Sequence, residues 1–225
     1  MLINNTTTKH TVKKVFDIAS NLVRGDLYLV ADGIFVLEIP DKYDRAMFFC
    51  KYQEFYESQI EHIRGKYFTL EEFMRAYKNY RKEDTFTYPN DWEGFNIPSN
   101  VLLKAVDTFQ GDSDNDRMME QIYMVCSSQF GNFYLIGVDN IKSATYKHEM
   151  AHALWYLNKK YKASVRKLMK QIDKELYERL VKKIMKMGYP IDVAEDEIQA
   201  YLCHGWKVPY HSEKFRNNLS KFLNQ

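Results

Sequence analysis

Between residues 26 and 39 the chain reads Asp-Leu-Tyr-Leu-Val-Ala-Asp-Gly-Ile-Phe-Val-Leu-Glu-Ile, two apolar runs joined at Asp32-Gly33. An Asp-Gly pair suits the positive-φ positions of a two-residue turn, so this segment predicts a β-hairpin. After Pro40 the apolar period lengthens to three and four. Met47, Phe48, Tyr52, Phe55, Tyr56, Ile60 and Ile63 share one face of a helix expected from Tyr43 to Ile63 and ended by Gly65. Thr69 with Glu72 three residues on is a capping box for a second helix, to about Arg81. From Glu83 to Ser99 the period breaks. Pro89, Gly94 and Pro98 among Tyr88, Trp92 and Phe95 read as an ordered loop, with its aromatic rings either walling a cleft or plugging the loop onto the core.

Two helices are expected from about Asn100 to Phe109 and from about Asn115 to Ser127, separated by Gly111-Asp112-Ser113. Asn132 to Val138 has the β-branched and aromatic content of a short strand. Ser143 or Thr145 starts the next helix, which runs through Leu157. A longer amphipathic helix follows from Ala163 to Met187, closed by Gly188, and Ile191 to Cys203 forms another, with Gly205 at its cap. The class expected is α+β and mainly helical. A hairpin and helices over residues 1–98 precede a core over 99–225, the two packing as one unit or as an extension on a core.

Of the 225 residues 45% are hydrophobic and 28% charged, a balance that builds a globular core. The 32 basic and 30 acidic residues are interspersed, leaving a formal charge of +2 and no long-range field for a nucleic acid. The richest basic stretch, Lys159 to Lys170, is interrupted at helical spacing by Tyr161, Val165, Leu168 and Met169, as a solvated helix face is. Cys50, Cys126 and Cys203 form neither a CxxC pair nor an even disulfide framework, which points to a reducing compartment. Met1 to Val12 lacks the basic start and apolar stretch of a secretory signal, and no apolar run nears the roughly 20 residues of a membrane span. A cytoplasmic protein is expected, although one delivered by a specialised secretion route would look the same.

The chemistry lies in His148-Glu149-Met150-Ala151-His152, an HExxH motif. Residues four apart share a helix face, so two neutral imidazoles converge on one Zn²⁺ while Glu149 points towards a water on that ion. The alternative, two ordinary histidines beside a surface carboxylate, leaves polar groups in an apolar helix without partners. Thr145, Tyr146, Met150, Ala151 and Ala153 are uncharged, and Leu154 and Leu157 extend the apolar face. Thr145 to Leu154 resembles the extended zinc-peptidase signature, matching it at every position. Trp155 and Asn158 stand where the metzincin motif requires glycine and histidine, which excludes that class.

Downstream, Ala194 to Leu202 reads Ala-Glu-Asp-Glu-Ile-Gln-Ala-Tyr-Leu, with Glu197 three residues before Ala200. This is similar to the gluzincins, whose third ligand is a helical glutamate in an ExxA context. The resemblance spans residues 143 to 205. It implies a zincin-like catalytic core with His148, His152 and Glu197 as zinc ligands and Glu149 as general base. Glu195 and Asp196 compete for the third place, but the apolar stripe of Ile198, Tyr201 and Leu202 lies closer to Glu197. An acidic run at a helix start also serves simply to complement the helix dipole. Tyr201 stands where thermolysin-like enzymes carry an aspartate, and the stretch between His152 and Glu197 is longer than theirs.

Tyr201 and His204 fall on the face of Glu197 and are candidates for donating to an oxyanion. Packing alone would equally account for a tyrosine there, and the helix dipole for a histidine. Tyr210 and His211 are expected in a following loop. By the same resemblance the strand at 133–138 would be an edge strand that pairs with an extended substrate. The expected function is zinc-dependent hydrolysis of a peptide or protein, with no nucleic-acid or membrane partner. Two alternatives stand beside it: a non-catalytic zincin-like module docking proteins through its aromatic loop, and a toxin or effector protease with the same chemistry.

Overall fold

The computed structural model describes residues 12–19 and 24–223. Strands β1 (Lys13–Ala19), β2 (Arg24–Ala31), β3 (Ile34–Glu38), β4 (Phe95–Pro98) and β5 (Tyr134–Val138) make one sheet in the order β1-β2-β3-β5-β4. The hairpin of β2 and β3 turns at Asp32-Gly33 as its sequence requires, Gly33 adopting φ +71°. β3 and β5 pair in parallel and the remaining neighbours antiparallel. The sheet therefore draws on both stretches of the chain, 1–98 and 99–225.

Helices cover both faces. Alternate residues of β3 divide between them, Phe35 and Leu37 to one core and Ile34 and Val36 to the other. The first core is closed by α1 (Lys42–Glu57), α2 (Leu70–Arg81), α3 (Tyr88–Asp91), α4 (Ser99–Phe109) and α5 (Asp114–Gln129), through residues such as Phe48, Phe73, Tyr88, Leu102 and Ile122. The second is closed by α6 (Ala144–Leu157), α7 (Lys159–Met169), α8 (Lys174–Lys186), α9 (Ala194–Cys203) and α10 (His211–Leu223), through Met150, Val165, Leu180, Ile198 and Phe215. The fold is α+β and mostly helical. Buried Asp116 ties α5 to α1, accepting from Lys51 Nζ at 2.7 Å and the Tyr52 hydroxyl at 2.9 Å. The three cysteines are free and buried. Among the described residues no helix is long and apolar enough to cross a membrane.

Several boundaries differ from the sequence reading, each for a local reason. α1 stops at Glu57 rather than Ile63 because Ser58 takes an extended backbone (ψ 137°) and its hydroxyl accepts the Ile60 N–H. The chain then folds back until the N–H of Gly65 reaches the Phe55 carbonyl at 2.9 Å, so the glycine closes the turn and not the helix. The single helix expected from Ala163 to Met187 is two, since Asp173 caps a new helix by accepting the Leu176 N–H at 2.8 Å. The loop from Glu83 to Ser99 holds α3 and β4. β5 lies inside the sheet, hydrogen-bonded on both sides, so the edge strand on that flank is β4. Its outward Asn96 N–H is already given to Gln53 Oε1 at 3.0 Å, and Pro98 has no N–H to offer. His211 opens α10 instead of lying in a loop.

Candidate metal centre

The middle of α6 is buried between β5 and α9, with Met150, Ala151, Ala153 and Leu154 in the core. α9 packs against it through residues that include Ala200, fully buried, and small side chains let two helices approach closely. Ser143 starts α6 by accepting the Tyr146 N–H at 3.1 Å.

The spacing of the motif does there what helix geometry requires. His148 Nε2 and His152 Nε2 lie 3.2 Å apart. From α9, Glu197 brings Oε1 to 3.7 Å from His152 Nε2 and Oε2 to 4.0 Å from His148 Nε2. The three side chains offer ligand atoms within 4.8 Å of one another and could hold a metal ion. Glu197 Oε2 is buried and has no hydrogen-bond partner, an arrangement that is costly unless a cation compensates it. Two imidazoles and a carboxylate on rigid helices form a donor set that suits zinc, with room for a further ligand on the cleft side.

Glu195 and Asp196 prove to have other partners. Glu195 reaches outward to Arg166 at 3.4 Å. Asp196 Oδ1 takes the Nδ1 proton of His152 at 3.0 Å, which turns Nε2 of that ring towards His148 and Glu197. Gln199 Nε2 also donates to Asp196 Oδ1, at 3.0 Å, and the Tyr161 hydroxyl donates to Gln199 Oε1 at 2.8 Å. A carboxylate thus orients the second histidine, supplied by the residue before Glu197 rather than four after it.

The two histidines titrate in opposite directions. Burial, reinforced by neighbouring His152, pushes His148 down to about 3, so that ring is neutral and ready to ligate. For His152 burial acts downward too, but Asp196 and Glu197 together outweigh it and raise the ring well above its usual range. Burial also raises Glu197 and Glu149, with His152 opposing in both cases.

Glu149, next to the first histidine, turns towards β4. Its Oε2 accepts from Asn96 Nδ2 at 2.8 Å, and Asn96 Oδ1 accepts the Tyr134 hydroxyl at 2.6 Å. Gly94 makes room for it, since a Cβ there would stand 2.3 Å from Glu149 Oε1. Glu149, Asn96 and Gly94 open onto a cleft of about 750 Å³. Tyr201 lines it, its ring against His148 with centroids 4.6 Å apart and its hydroxyl 3.4 Å from that of Tyr189. His204 lines it as well, held below the usual histidine range by burial and then by Lys147 and Arg216. Tyr210 and His211 do not line it.

The aromatic loop divides: Trp92 walls the cleft and packs on Tyr189, whereas Tyr88 and Phe95 plug the core. No family model, curated protein or solved structure matches the chain. Sequence reading missed Asn96, Gly94 and Tyr189 as site residues and Asp196 as the partner of His152. The one signal for Asn96 was its polarity between Phe95 and Ile97, a period-2 alternation in a stretch too short to separate from a loop.

Proposed function

We propose that the chain is a zinc-dependent metallopeptidase with a zincin-like core, in which His148, His152 and Glu197 hold the metal and Glu149 is the general base. The observation that carries this reading is the buried Glu197 Oε2, unpartnered and facing two converged imidazole nitrogens, with a carboxylate of the same motif beside them. Zinc bound there supplies Lewis acidity, lowering the pKa of a water and polarising a carbonyl.

The chain's own residues account for the rest. Glu149 accepts the proton of the water that attacks the peptide carbon and returns it to the leaving nitrogen as the C–N bond breaks. Asn96 holds that carboxylate by Oε2, and Oε1 lies against Gly94 on the cleft wall. Asp196 keeps His152 in the tautomer that presents Nε2. Tyr201, Tyr189 and His204 carry the polar hydrogens available to a developing oxyanion on this side of the cleft. Substrate pairing to the sheet edge is not part of this reading, because Gln53 occupies the outward N–H of Asn96.

The test is metal analysis joined to turnover. Purified protein is expected to hold about one zinc per chain, to cleave peptides from a diverse library, and to lose cleavage on chelation and recover it with zinc. Glu149→Gln is expected to keep its zinc and lose turnover by about 100-fold or more. A Glu149→Gln protein as active as wild type would overturn the assignment.

A further inference from the structure

The last turn of α1, where Glu57 ends the helix, lines the same cleft as the histidines. Gln53, one turn earlier, links that carboxylate to the sheet: its Oε1 accepts the Asn96 N–H at 3.0 Å and its Nε2 donates to Glu57 Oε2 at 2.8 Å. Glu57 is therefore held in place by a built contact. It lies outside the group of atoms able to share a metal. No lysine or arginine pairs with it among the described residues. Arg81 and Lys186 are the arginine and lysine that line the cleft, and Arg81 is 3.6 Å from Asp91. Glu93 adds a further carboxylate to the same walls.

A carboxylate fixed in a cleft wall without a lysine or arginine partner is stabilised by whatever cation the ligand brings. Burial pushes the Glu57 carboxyl up to about 7, with Asp196 and Glu149 acting the same way and His152 and the Gln53 hydrogen bond opposing, so an ionised Glu57 gains from a positive neighbour. We infer that the Glu57 wall receives a protonated amine or guanidinium of the substrate, which makes cationic peptides the preferred class. This rests on the peptidase reading above. The charged nitrogen can come from a lysine or arginine side chain or from a free α-amino group, and one set of peptides distinguishes them.

Zinc-loaded full-length protein is assayed on three forms of one fluorogenic peptide: acetylated with lysine, acetylated with norleucine at that position, and norleucine with a free amino terminus. One of the two cationic forms is expected to exceed acetylated norleucine by about tenfold or more in kcat/KM, and the form that gains identifies the source of the charge. Glu57→Gln is expected to shrink that ratio about tenfold, and Glu57→Lys to reverse it. The same peptides are titrated calorimetrically into zinc-loaded Glu149→Gln protein, where binding does not depend on turnover. Selective binding of a cationic form there, with no hydrolysis by wild type, would overturn the peptidase reading and leave this inference standing. Equal binding of charged and neutral forms, or no binding of any, overturns the inference.

Discussion

Asn96 Nδ2 donates to Glu149 Oε2 at 2.8 Å, so the outermost strand of the sheet positions the carboxylate that flanks the two histidines. The Tyr134 hydroxyl, donating to Asn96 Oδ1, orients the amide from the neighbouring strand. Asn96→Ala is expected to lower kcat by about 10–100-fold with zinc content unchanged, and Tyr134→Phe to act in the same direction more weakly. Parallel kinetics and metal analysis check this. Loss of zinc in step with loss of rate would place the effect of Asn96 on the histidines instead.

Gly94 offers a steric test of the same carboxylate. The Cβ of an alanine there would meet Glu149 Oε1 at 2.3 Å and Thr145 Cγ2 at 2.5 Å, closer than side-chain atoms come without one of them moving. Gly94 has no positive φ, so the backbone itself accepts alanine and the strain falls on Glu149. Gly94→Ala is expected to cost turnover by about tenfold or more, with a thermal midpoint within a few degrees of wild type. A large fall in the midpoint with normal turnover would contradict it.

What the sequence disclosed of this site follows the range over which its causes act. Two histidines four apart share a face through local helix geometry alone, and Glu197 stood out by its apolar neighbours. The task of Asp196 depends on how α9 meets α6, which no pattern within either helix encodes. Asn96, Gly94 and Gln53 matter only once β4 has paired with β5 and α1 has packed beside it, and β4 lies between a glycine and a proline that read as loop. Likewise, the apolar period of Ala163 to Met187 continues through Ile172, buried between the two helices, so only the capping side chain of Asp173 marks the break.

Asp196 should govern metal affinity rather than the chemical step. Its carboxylate takes the Nδ1 proton of His152 at 3.0 Å and strengthens the opposite nitrogen as a donor. Asp196→Ala is expected to weaken zinc binding by about 10–100-fold, and Asp196→Asn, which keeps an acceptor oxygen but no charge, by less. Competition with a chromogenic chelator measures the order of the three proteins. Equal affinities would remove Asp196 from the site.

Glu54 gives the fold a pH dependence of calculable sign. It is 8% exposed, and burial pushes its carboxyl from 4.5 up to about 7, although the hydroxyls of Ser58 and Tyr88 act in the opposite sense. The folded state thus holds this proton more tightly than the unfolded chain does. The resulting stabilisation is complete below the unfolded value of 4.5 and is lost as pH rises through about 7. Glu54→Gln, neutral at every pH, is expected to be more stable than wild type at pH 8 by on the order of 1–3 kcal/mol, and to lose that advantage by pH 4.5. Urea unfolding of metal-free wild type and variant across this range reads out the difference. An advantage that grew towards acid pH would mean that Glu54 is held ionised in the folded protein.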